Sequence, residues 1–82
     1  MNLNIKLFAT LKDKAQASYL LIELEEEQLT VKDLLTEIVA QIPALGSSMK
    51  SVLVAVNNEF AFSEQAINPG DEIALFPPVS GG

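Results

Sequence analysis

The sequence predicts an α+β fold, a mixed sheet with one main helix packed on one face, and three features carry that expectation. Residues 3–9 and 19–25 alternate apolar and polar with the period of half-buried strands, Leu3, Ile5 and Leu7 and then Leu20, Ile22 and Leu24 pointing inward. From Val31 onward a single stretch repeats apolar residues at helical spacing. Short apolar, β-branched runs at 51–56 and 72–76 then close the chain, set off by turn residues.

Taken in order, the first strand leaves Asn4, Lys6 and Phe8 on its polar side. Residues 10–18 are of mixed polarity and read as a connection with one helical turn around Leu11 to Lys14. The second strand pairs antiparallel with the first and ends in Glu25-Glu26-Glu27. Three consecutive acids with no converging partner make a poor metal cage, so that run is a solvated loop. Thr30 is placed as an N-cap with Asp33 as its capping-box partner, and Leu29 as a staple against Leu34. Val31, Leu34, Leu35, Ile38, Val39 and Ile42 then form one apolar stripe, the core face of a helix that Pro43 and Gly46 end in a loop. A third strand at 51–56 turns at Asn57-Asn58-Glu59 into a short partner at 60–62. The turn Asn68-Pro69-Gly70-Asp71 introduces the last strand, with Ile73 and Leu75 inward and Phe76 outward.

The order β, β, helix, β, short β, β places a helix between strand pairs and lets the first and last strands pair in parallel at the centre. This is a β-grasp, the ubiquitin-like plan. Central parallel pairing sets outward Phe8 and Phe76 side by side on the open face. The pair is then a docking patch, unless a register shift puts one ring in the core; Phe60, at a hairpin end, is a weaker third member.

After Phe76, Pro77 and Pro78 cannot extend a hydrogen-bonded ladder, so the chain divides into a domain at 1–78 and an extended functional tail at 79–82. At polyproline rise the tail reaches on the order of 15 Å, and Gly81 and Gly82 make its tip thin enough for a narrow channel. A frayed, functionless end is the alternative for a lone Gly-Gly. The stiff exit from an apolar strand favours function.

Composition narrows the chemistry. With 82 residues, 49% hydrophobic, the chain is one small domain of modest stability, roughly 5–10 kcal/mol. It has no cysteine and no histidine, which excludes thiolate metal sites and a Ser/His or Cys/His hydrolytic device. A net charge of −6, from eleven acids against five lysines and no arginine, argues against nucleic acid and suits either a basic protein partner or simply the solubility of a small domain. Neither a signal peptide nor a membrane-spanning run is present, so a cytoplasmic protein with no membrane contact is expected.

The ending from Asn68 through Phe76-Pro77-Pro78-Val79-Ser80-Gly81-Gly82, with Leu7-Phe8-Ala9 and Val56-Asn57-Asn58-Glu59, resembles the small, sulfur-carrying subunits of molybdopterin synthase over the whole chain. The thiamine-pathway sulfur carriers share Gly-Gly but lack the Pro-Pro exit, and ubiquitin carries basic residues before its Gly-Gly. The resemblance implies that Gly82 is adenylated from ATP by a ubiquitin-activating-like enzyme and converted to a thiocarboxylate by a persulfide donor protein. It further implies that the tail enters the large subunit of a two-plus-two heterotetramer and gives sulfur to cyclic pyranopterin monophosphate, forming the molybdopterin dithiolene. In that picture Gly82 carries the sulfur and Gly81 keeps the channel narrow. Val79 and Ser80 line the channel, and Phe8, Phe60, Phe76, Pro77 and Pro78 meet the large subunit. The chain itself binds no cofactor and is not catalytic alone. Readings as a thiamine-pathway or general sulfur carrier, a ubiquitin-like protein modifier, or a plain binding module working through Phe8 and Phe76 stay open.

Overall fold

The structure is a computed structural model and describes residues 1–78. Strand β1 (Asn2–Leu7) buries Leu3, Ile5 and Leu7 and exposes Asn2, Asn4 and Lys6, the alternation its sequence demands. Phe8 remains extended and caps α1 (Ala9–Ala15). This helix replaces the single turn expected there. Only Leu11 anchors it in the core, so no apolar period announced it. Its end is set by Gln16 in the left-handed region at φ 56°, with Lys12 and Lys14 in the last turn where cations suit the helix dipole. Strand β2 (Tyr19–Glu23) buries Leu20 and Ile22; Leu24, expected within it, lies just past its end and is half-buried.

A two-residue strand, β3 (Leu29–Thr30), leads into α2 (Val31–Gln41). The capping box forms as the sequence indicates: the Asp33 N–H donates to Thr30 Oγ1 at 3.2 Å, and the Thr30 N–H donates to Asp33 Oδ2 at 3.3 Å. Val31, Leu34 and Ile38 are buried, while Leu35 and Ile42 pack at the margin of the core. Each fully buried aliphatic side chain here is worth about 1.5–3 kcal/mol relative to exposure.

The segment expected to be a loop after Pro43 is a 3-10 helix (Pro43–Ser48). Proline at its start supplies the needed φ, and Leu45, fully buried, pins it to the core. Strand β4 (Leu53–Val56) turns through Asn57 and Asn58, both left-handed at φ 52° and 70°, into β5 (Glu59–Phe60). Two consecutive left-handed residues match the twist of a tight hairpin, and asparagine tolerates them. Strand β6 (Ala66–Ile67), unexpected from the sequence, pairs with β3 as a separate ribbon. Two residues are too few to show a period. Gly70, at φ 88°, completes the turn into β7 (Ile73–Phe76).

The main sheet runs β2-β1-β7-β4-β5, with β1 and β7 parallel at its centre and the other neighbours antiparallel. The core residues of α2 and of the inward sheet positions form one cluster. This is the β-grasp plan.

Two substitutions test this account in urea denaturation. Thr30→Ala should cost about 1 kcal/mol by removing the cap. Ile38→Ala should cost about 2–5 kcal/mol by leaving a cavity between helix and sheet.

Candidate functional site

The face of the sheet turned away from α2 is built from the outward positions of its strands. The parallel register Ile5↔Ile73, Lys6↔Ala74, Leu7↔Leu75, continued by one residue, brings Phe8 beside Phe76. The Phe8 N–H donates to the Leu75 carbonyl at 3.2 Å and holds that step. The two rings stack with centroids 4.5 Å apart and planes 8° from parallel. Both residues are half-buried, each covered largely by the other, so neither has slipped into the core.

Phe60 joins them through small neighbours. In register, Phe60 faces Ala55, and Ala55 faces Ala74. Two alanines in a row leave a shallow hollow, and the Phe60 ring closes on the edge of Phe76 at 6.2 Å and 70°. Lys6, opposite Ala74 on the other side, sets its ammonium 5.0 Å from the Phe8 ring centroid. The lysine and both alanines were not singled out in the sequence, because only the register shows that they meet the aromatic trio.

At the far end of the hollow the Asp71 carboxylate serves structure. Asp71 accepts from Asn57 Nδ2 at 3.0 Å and from the Asn68 N–H at 2.8 Å, and the Glu72 N–H donates to Asn57 Oδ1 at 2.9 Å. This mesh ties the Asn57 hairpin to the entry of β7. Among the described residues no group of three or more His, Cys, Asp or Glu could hold a metal ion, and no helix is long and apolar enough to cross a membrane. Glu25, Glu26 and Glu27 all face solvent. Phe62, expected within the short strand, falls beyond β5 and is 82% exposed.

Pro77, half-buried, and Pro78, exposed, follow Phe76 without joining the ladder, so the chain leaves the sheet at the rim of the aromatic platform. Val79, Ser80, Gly81 and Gly82 lie outside the described residues. The platform and the root of the tail are one site. Among the described residues this site offers apolar contact from the three rings and the ammonium group of Lys6.

The model of the ThiS family matches residues 5–82. The chain belongs to the ThiS family. A relative from Chlamydomonas reinhardtii named molybdopterin synthase sulfur carrier subunit is 37% identical over 84 residues, the alignment taking in the whole of both chains. Small archaeal modifier protein 1 of Haloferax volcanii is 38% identical, covering 94% of this chain and 97% of that one. A crystal structure of that archaeal protein superposes over the whole of both chains with a TM-score of 0.87 at 36% identity. A putative molybdopterin converting factor subunit 1 from Pyrococcus furiosus superposes with a TM-score of 0.83 at 26% identity, covering 96% of this chain and 99% of that one. The resemblance to sulfur-carrying subunits read from the ending, and the β-grasp fold, both agree with this ThiS membership.

A double-mutant cycle on Phe8→Ala and Phe76→Ala, followed by urea denaturation, should give a coupling of about 0.5–1.5 kcal/mol, the range for a stacked aromatic pair.

Proposed function

We propose that this chain is the sulfur carrier of a molybdopterin synthase and that the α-carboxyl group of Gly82 is the carrying group. The observation that carries the reading is the end-to-end similarity to a relative named molybdopterin synthase sulfur carrier subunit. The geometry supports it, since the aromatic platform lies where the tail begins and a partner gripping the platform would receive the tail.

The chemistry follows from what a carboxylate lacks. Its resonance makes it a poor electrophile, so an ATP-consuming, ubiquitin-activating-like adenylyltransferase first joins it to AMP with loss of pyrophosphate. A persulfide on a donor protein then attacks the acyl carbon and AMP leaves; a second thiol attacks the donor's sulfur in the resulting acyl disulfide, the two thiols leave joined as a disulfide, and a thiocarboxylate remains on Gly82. Gly81, without a side chain, keeps the entering backbone narrow, and Val79 and Ser80 line the channel of the large subunit. Phe8, Phe60, Phe76, Pro77 and Pro78 dock on that subunit in a heterotetramer of two small and two large chains. There the thiocarboxylate delivers sulfur to cyclic pyranopterin monophosphate, two loaded chains serving each dithiolene. With no histidine, cysteine or arginine in this chain, the partners supply the acid-base and phosphate-binding groups. The net charge of −6 suits a basic receiving surface.

Incubation with ATP, the adenylyltransferase and a persulfide donor should replace one oxygen of the chain by sulfur in the intact mass. Deletion of Gly82 should abolish the change. An unchanged mass, with the adenylyltransferase shown to be competent on another carrier, rejects the reading. Phe60→Asp, at a residue 71% exposed, should lower the melting temperature by no more than several degrees through the lost edge contact with Phe76, and weaken binding to the large subunit by about tenfold or more in calorimetry.

The similarity to small archaeal modifier protein 1 favours a second reading, in which Gly82 is joined to lysines of other proteins. It predicts higher-mass conjugates in cell extract that disappear when Gly82 is deleted.

A further inference from the structure

The main sheet ends in two unlike edges. On one side β5 is only two residues long, which protects it. The other edge is β2, five residues paired with β1 without a bulge, Tyr19-Leu20-Leu21-Ile22-Glu23, and it contains neither proline nor lysine. Among the described residues no strand pairs with its outer side.

The ladder parity shows which groups are left over. Leu24 donates its N–H to Met1 O at 2.8 Å, the Met1 amino group returns a bond to Leu24 O, and Leu7 donates to Ser18 O at 2.8 Å. Hydrogen-bonded pairs therefore fall on Leu24, Ile22, Leu20 and Ser18, and the N–H and C=O of Tyr19, Leu21 and Glu23 point outward. The side chains of these three stand on the open face, with Tyr19 55% and Leu21 69% exposed. The edge thus joins unsatisfied backbone groups to an apolar strip.

We propose that β2 is a self-association edge, where two copies of this chain pair antiparallel about Leu21 to form one continuous sheet. In that register Leu21 faces Leu21 on the two-fold axis and Tyr19 faces Glu23. All three outward positions on each chain are then matched, with about six new backbone hydrogen bonds. Charge selects the same register. Tyr19 presents a phenol to the opposing Glu23 carboxylate, whereas a slip that centred the axis on Glu23 would set two carboxylates face to face. The net charge of −6 on each chain opposes the encounter, so the dimer is a weak, concentration-dependent one. Phe8, Phe60 and Phe76 stay open, because β1 lies between β2 and β7. The two platforms lie on one face with five strand spacings between their β7 strands, about 24 Å.

Sedimentation velocity from micromolar to millimolar concentration, with amide hydrogen exchange on the same samples, tests this. The expected result is a rise from monomer toward doubled mass, with added protection of the Tyr19, Leu21 and Glu23 amides. Leu21→Lys and Leu21→Glu each place like charges on the axis and should remain monomeric; mixed together they should regain the doubled mass. Their exposed position leaves the fold intact, checked by circular dichroism. Monomer at every concentration, or a dimer that both single variants retain, overturns the proposal.

Discussion

Parallel pairing of the first strand with the last holds the rest of this structure in place. Parallel neighbours need a crossover connection, so β2, α2 and β4 are in effect the path by which the chain returns to lie beside its own beginning. The inward positions of the two strands, Leu3, Ile5, Leu7, Ile73 and Leu75, are almost wholly buried beneath the helix. Their outward positions follow by alternation. Phe8 meets Phe76 because Leu7 meets Leu75, and the tail starts at that point because Pro77 has no N–H for the next ladder bond. Core, platform and exit thus share one register, and a slip of one residue would scatter all three.

The domain separates stability from chemistry. Its buried set among the described residues is entirely apolar, with no buried polar or charged side chain. The exposed rings are made tolerable by contact with each other: stacking covers much of Phe8 and Phe76, and Phe60 meets Phe76 edge-on. Such a patch is cohesive yet still leaves apolar surface, Phe60 above all, open to solvent. A carrier needs nothing more reactive than this on its body. In the function proposed above, the reactive group is instead the α-carboxyl of Gly82.

The two sheet edges extend the same logic. The aromatic platform grows toward the short β5 edge, where Phe60 comes from a tight hairpin and little ladder remains for pairing. The long β2 edge stands on the far side of β1, where Tyr19, opposite Lys6, borders the hollow that the platform lines. The edge and the platform therefore meet at Tyr19, while Phe60 and Phe76 lie beyond β1 from it.

The residues alone determined the elements whose signals are local and repeated. Alternation defined β1 and β2, Thr30 with Asp33 defined the start of α2, and paired asparagines and the Asn68 turn defined the chain reversals, because each is stabilised by neighbours in sequence. The Pro-Pro exit was equally legible, since proline acts through its own ring. Elements held by a single distant contact left no such trace: α1 depends on Leu11, the 3-10 helix on Leu45, and β3 and β6 on each other. The hollow between Ala55 and Ala74, the ammonium of Lys6 over Phe8 and the free edge of β2 were decided only by tertiary structure. Each arises where strands far apart in the chain come into register, and register is a property of the assembled sheet rather than of any one segment.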